Sequence, residues 1–374
     1  MIIFLRRRLT KQKDSDRSSI IMLVTKRTKV VTGFNCNARC RFCYYGNRIK
    51  ESNRPKKAII NDLKFARRHG IEDIDFSGGE PTTHPDLCEL IASAKKIGFK
   101  NICIITNGLK LKEEYYRSLS DAGLNETLFS IQGGQEDTHD SSIGVKGAFL
   151  VIFHAIEIAK KISIKIRTNT VVHKYNYLEL EQLIKQIAPF EPTQVNFITI
   201  NDWHYAKNNA TQLMCKYSEV SQYLKDACNM LKENNVKNIN VRYIPFCMML
   251  GYEQYVCNHG QVKYDPFEWL PHVRVRLETN INSLVYLAML AYGLSFGKAL
   301  FKAKKGDILD QVIVEAIRAY NYCKHKTCRD CRYDLICDGV EKSYANIFGL
   351  QELNTVPGEK IREPYYFRTH LHRI

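Results

Sequence analysis

The chain has 374 residues, 45% of them hydrophobic and 25% charged, with a formal net charge of +16. That length and apolar content allow one large domain and a smaller one, each with a core. Thirteen cysteines in a chain this long exclude the disulfide scaffold of a small secreted domain. The start, Met1-Ile2-Ile3-Phe4-Leu5 followed at once by Arg6-Arg7-Arg8, has its charge on the wrong side of a short apolar run for a secretory signal. The cysteines therefore read as metal ligands and buried thiols in a reducing cytoplasm.

In chain order, a basic stretch comes first, with Arg6, Arg7, Arg8, Lys11, Lys13, Arg17, Lys26, Arg27 and Lys29; residues 1–28 read as a solvated basic tail. A basic field favours acidic partners, but no stripe of interleaved basic and aromatic residues marks a nucleic-acid surface. Strand-like runs are expected at 29–33, 73–77, 101–106, 126–132, 164–172 and 194–200, and helical runs at 57–69, 85–97, 112–122, 148–161, 178–187 and 218–234. Six βα units imply a parallel sheet covered by helices. Periodicity leaves open whether the strands close into a barrel or form a doubly wound sheet. In both, ligands bind at the carboxyl ends of the strands, and polar motifs stand there. The loop Cys36-Asn-Ala-Arg-Cys40-Arg-Phe-Cys43 follows strand one, Gly78-Gly79-Glu80 ends strand two, and Thr106-Asn107-Gly108 ends strand three. Ser130 and Gln132 close strand four, and Arg167 and Asn169 are placed late in strand five.

Beyond about residue 236 the alternation stops. Short strand candidates such as 239–244 are mixed with aromatics (Tyr243, Phe246, Tyr252, Tyr255, Tyr264, Phe267, Trp269) that read as a lid. The apolar run 284–297 is shorter than the roughly 20 residues a bilayer span needs and reads as a buried helix, followed by a helical 306–318. Last comes a segment with Cys323, Cys328, Cys331 and Cys337. Cys88, Cys103, Cys215 and Cys228 read as ordinary thiols, and His69, His84, His139 and His204 lack ligand-type spacing.

Soft thiolates select iron–sulfur clusters, zinc or Cu(I). Three thiolates within eight residues leave one metal position open, whereas structural zinc sites use two separated pairs. The C-x3-C-x2-C loop with Gly78-Gly79-Glu80-Pro81 resembles the radical S-adenosylmethionine (SAM) superfamily, over roughly residues 29–235. The resemblance implies a partial (β/α)6 TIM-type barrel in which Cys36, Cys40 and Cys43 hold a [4Fe–4S] cluster and SAM occupies the fourth iron. Phe42 would pack near the adenine, and Gly78, Gly79 and Glu80 would hold the methionine amino group. Ser130, Gln132, Arg167 and Asn169 would face the ribose and carboxylate. An external donor such as a flavodoxin or ferredoxin would supply one electron. Homolysis of SAM would then give a 5′-deoxyadenosyl radical that abstracts hydrogen from substrate.

Cys328-x2-Cys331-x5-Cys337 resembles part of the SPASM/twitch extension found behind many such cores. Too few cysteines are present for two auxiliary clusters. Cys323 is the expected fourth ligand of one auxiliary [4Fe–4S] cluster, with Cys257, or after it Cys247, as the alternative. A zinc knuckle would satisfy the same cysteines. The expected organisation is a tail (1–28), a core (29–235), a linker and lid (236–322) and an auxiliary-cluster segment (323–374). The implied substrate is a peptide or a sugar-like polar small molecule. The competing class is a zinc-binding regulatory or nucleic-acid-binding protein.

Overall fold

The structure, a computed structural model, describes residues 26–200, 209–261 and 318–368. Most of the basic tail, His204, the run 284–297, nearly all of 306–318, and Tyr264, Phe267 and Trp269 lie outside the described residues. Seven parallel strands pair strictly in chain order: β1 (Arg27–Val31), β2 (Asp73–Ser77), β3 (Asn101–Thr106), β4 (Glu126–Ser130), β5 (Lys165–Val172), β6 (Gln194–Thr199) and β7 (Asn238–Arg242). Between them run α1 (Lys56–Arg68), α2 (Leu87–Ile97), α3 (Glu113–Ala122), α4 (Glu136–Ile143), α5 (Ala148–Lys161) and α6 (Leu180–Ile187), and α7 (Tyr217–Glu233) precedes β7. The helices form where apolar residues recur at three- and four-residue steps: Ile59, Leu63 and Ala66 in α1, and Leu180, Leu183, Ile184 and Ile187 in α6, are all buried. They cover the outer strand residues Ile74, Phe76, Ile104, Phe129, Val195 and Phe197, all fully buried.

A doubly wound sheet reverses its strand order at a switch point; this one does not reverse. It also curls. In a flat sheet, strands three apart are separated by about 14 Å, beyond the reach of one side chain. Yet Arg27 of β1 pairs with Glu126 of β4 at 2.7 Å, and Arg167 of β5 pairs with Asp75 of β2 at 3.1 Å. The sheet is therefore a partial barrel whose lumen these side chains cross.

The barrel has one strand more than the six expected. β7 extends the parallel sheet in register with β6. Beyond it, Tyr243 and Phe246 are buried rather than spread over the mouth. Phe246 packs 5.3 Å from Tyr333, and the Tyr217 ring stacks 4.2 Å from Tyr344 of α8 (Lys342–Phe348). The described part of the expected lid is thus the seam joining the barrel to a Cys-rich C-terminal segment. That segment carries a small antiparallel pair, β8 (Tyr322–Cys323) with β9 (Val340–Glu341). Among the described residues no single helix is long and apolar enough to cross a membrane.

Candidate active site

The loop bearing Cys36, Cys40 and Cys43 leaves the carboxyl end of β1 and is tied down on both sides. The Cys36 N–H donates to the Ile49 carbonyl (3.1 Å), and the Arg39 and Arg41 N–H groups donate to the carbonyls of Ile143 and Ser142 at the end of α4 (2.8 and 3.1 Å). All three thiols are free. Burial pushes the Cys36 thiol up to about 11, and nearby Glu80 and Cys43 add to the rise. Burial raises Cys40 further, with Cys43 and Cys36 adding, and raises Cys43 too. Metal ligation would displace these protons, so it favours higher pH. The Phe42 ring stacks on His173 at 6.1 Å.

The Gly78-Gly79-Glu80 turn is bonded to this loop backbone to backbone. The Gly79 and Glu80 N–H groups donate to the carbonyls of Gly33 and Asn35, each at 2.8 Å. A Cβ on Gly78 would lie 2.2 Å from the Gly33 oxygen, one on Gly79 2.2 Å from the Asn35 oxygen, and Gly78 has φ +123°. The sequence reading places these glycines at the methionine amino group of SAM; the nearest obstacle to a side chain is the cysteine loop's own backbone.

The Glu80 carboxylate is buried and well supplied with donors. Its Oε1 accepts from the Thr82 N–H (3.1 Å), Thr82 Oγ1 (2.6 Å) and Thr106 Oγ1 (2.7 Å), and its Oε2 from the Asn107 N–H (2.8 Å). With about two lone-pair positions per oxygen, Oε2 keeps room for one further donor. Burial raises the Glu80 carboxyl, and these bonds pull the other way. Asn107 Nδ2 also donates to Asn37 Oδ1 (2.8 Å), fixing the tip of the cysteine loop to the end of β3. Sequence reasoning noted the triplet at residues 106–108 without a role; its place at a strand end beside Glu80 is the signal.

Four polar residues stand in one row across the sheet: Ser130 opposite Asn169, Asn169 opposite Asn196, Asn196 opposite Asn240. Strand side chains alternate faces, and Ser130 lies four residues after the lumen-crossing Glu126, so the row faces the lumen. Asn240 Nδ2 donates to Asn196 Oδ1 (2.8 Å). Asn196 and Asn240 went unrecognised because single asparagines in strand-like runs carry no motif.

Two expected ligand contacts do not stand with this row. Arg167 is the third residue of β5, not late in it, and sits at the floor of the lumen. Its Nη1 pairs with Asp75 (3.1 Å) and Glu126 (3.3 Å), alongside Arg27. The Gln132 side-chain oxygen accepts from the Val171 N–H (2.9 Å), while its main-chain N–H donates to His139 Nδ1 (3.0 Å). Gln132 holds β5 in place. The floor trio Asp75, Cys103 and Glu126 brings ligand-type atoms within 4.8 Å of one another, but the two carboxylates are already matched by the arginines.

The C-terminal segment carries a second thiol site. Cys247, Cys328, Cys331 and Cys337 line one cavity with Pro245, Lys324, Tyr333 and Asp334; Cys323 and Cys257 are not in its lining. The cavity thus groups the three C-terminal thiols with Cys247, the second alternative to Cys323. Cys323 lies in β8, opposite Val340.

Residues 30–187 match the family model described as the radical SAM superfamily. This part of the chain belongs to that superfamily. GTP 3′,8-cyclase of Aquifex aeolicus (strain VF5) is 30% identical over 190 residues, 46% of this chain and 57% of the relative. PqqA peptide cyclase of Bradyrhizobium diazoefficiens is 26% identical over 206 residues, 53% of each chain. The chain thus spans a little over half the length of these curated relatives. The Streptococcus suis SuiB structure bound to S-adenosylmethionine superposes with TM-score 0.50 at 18% identity, covering 64% of this chain and 59% of that one; that likeness is one of fold.

The radical SAM domain contains the Cys36 loop, the Glu80 turn, Ser130 and Asn169. Its donor set fits a cluster better than a single ion. Zn–S bonds of about 2.3 Å in a tetrahedron place the sulfurs about 3.8 Å apart. Among the described residues, the floor trio alone draws three such atoms within 4.8 Å. Neither cysteine set is that tight, as suits sulfurs on separate irons.

Proposed function

We propose that this protein is a radical SAM enzyme acting on a peptide or a polar small molecule. The observation that carries the reading is the bonding of Gly79 and Glu80 to the cysteine loop, which fixes a buried carboxylate against the loop that bears the three thiols. When bound at Cys36, Cys40 and Cys43, a [4Fe–4S] cluster supplies one-electron cleavage of SAM and a 5′-deoxyadenosyl radical for hydrogen abstraction. The open acceptor position on Glu80 Oε2 receives the SAM ammonium. Phe42 packs beside the adenine, and Ser130 and Asn169 orient the ribose and carboxylate from the lumen row. Asn196 and Asn240 continue that row toward the substrate. The barrel walls exclude water from the reacting groups. A flavodoxin- or ferredoxin-like donor supplies the electron.

The second thiol set holds an auxiliary [4Fe–4S] cluster with no open iron, suited to electron transfer. A polar substrate agrees with the amide-rich lumen and with the relatives' names, one a peptide cyclase and the other a nucleotide cyclase. All thirteen cysteines are free thiols, in keeping with a reducing cytoplasm. Metal and sulfide analysis of anaerobically reconstituted protein tests the reading. About eight irons per chain with matching sulfide are expected for two such clusters. Zinc without sulfide would instead favour a zinc-binding regulatory or nucleic-acid-binding protein.

A further inference from the structure

We propose that Cys247, not Cys323, is the fourth thiolate of the auxiliary cluster, so that this cluster ties the turn after β7 to the C-terminal segment. The inference rests on reading the second cysteine set as an iron–sulfur site. Cys247 is carried by the short helical turn Phe246–Met248 that follows Pro245. It faces the same cavity as Cys328, Cys331 and Cys337. Cys323, although next to the lining residue Lys324, is not itself in the lining, and β8 pairs it with Val340. Cys257 is likewise outside the lining, its N–H bonded to the Val241 carbonyl (2.9 Å).

The cavity is also built for thiolates. The Gly339 N–H donates to Cys337 Sγ and the Val356 N–H to Cys331 Sγ, each at 3.4 Å, and a backbone hydrogen bond from Asn354 reaches Cys247. Hydrogen bonds to ligating sulfurs stabilise the thiolate and raise a cluster's potential. Lys324 lines the same cavity, anchored to Asp334 Oδ1 at 3.2 Å. It supplies a fixed positive charge against a cluster carrying four thiolates.

Cysteine footprinting tests this without a variant. Reconstituted protein is alkylated anaerobically with iodoacetamide, before and after iron is stripped with ferricyanide and a chelator, and the labelled cysteines are read by mass spectrometry. Cys247 should gain label on stripping together with Cys328, Cys331 and Cys337, while Cys323 labels equally in both states. Equal labelling of Cys247 in both states, or protection confined to Cys323, overturns the assignment. A Cys36→Ala/Cys40→Ala/Cys43→Ala background isolates the second site and should keep about four irons per chain. Adding Cys323→Ser should leave that iron in place, and adding Cys247→Ser should reduce it at least about two-fold. The reverse order sinks the proposal. No iron in the triple variant, while wild-type protein still cleaves SAM, would remove the auxiliary cluster and this inference but leave the radical SAM reading standing. Absence of SAM cleavage together with absence of protection at both cysteine sets would remove both.

Discussion

At the scale of single residues, the Cys36 loop and the Gly-Gly-Glu turn are legible because their chemistry lies in short spacings. What the spacing leaves out is why the glycines are needed. Gly79→Ala would drive a methyl group into the Asn35 carbonyl and displace the cysteine loop. The variant should lose about half its iron, roughly four of eight atoms per chain; intact iron with weakened SAM binding would instead give the glycine a role in holding SAM. The floor position of Arg167 is not legible in the sequence because its partners come from β2, β3 and β4, which no local pattern connects. Arg167→Ala leaves Asp75 and Glu126 short of a buried counter-charge, a loss of about 3 kcal/mol or more in urea denaturation. Burial alone would raise the Asp75 carboxyl, but Arg167 and Arg27 outweigh it and hold it at about 2, against 3.8 in the unfolded chain. Between those values the unfolded chain binds the proton and the folded chain does not. This stabilisation is therefore full above about pH 4 and is lost as pH falls toward 2. Asp75→Asn should flatten that part of the acid dependence of the urea midpoint.

At the scale of elements, the strands and long helices follow the apolar periodicity closely, and the exceptions have physical causes. β7 reads Asn-Ile-Asn-Val-Arg, the alternation of a strand with one wet face, which suits a sheet edge. Here the wet face is the barrel lumen. α4, Glu136–Ile143, carries no apolar stripe, so periodicity passes over it. Its place comes from its ends: its last carbonyls bond the Arg39 and Arg41 amides, and its Asp140 carboxylate accepts from the Gly147 and Phe149 N–H groups at the start of α5. Asp140 thus meets orphan donors of a neighbouring helix. Asp140→Ala should cost about 1 kcal/mol of stability, measured by urea denaturation. No loss would remove that capping role.

At the scale of the whole molecule, the chain separates a structural floor from a functional mouth. Arginine–carboxylate pairs cross the lumen at the amino-terminal end, and the cysteine loop, Glu80 and the amide row stand at the carboxyl end. The barrel and the C-terminal segment share one hydrophobic core that runs from Val30 through Tyr217 to Tyr344. That union was not legible, because contacts such as the Tyr217 N–H to Tyr344 OH bond at 2.8 Å join residues 127 positions apart. Cys247 reaches its cavity for the same reason. The central claim is that the Cys36 loop serves SAM cleavage. Anaerobically reconstituted protein given SAM and dithionite should form 5′-deoxyadenosine, and Cys43→Ala should abolish that product while the second site keeps its iron. Protein fully loaded with iron and sulfide that forms no 5′-deoxyadenosine would contradict it.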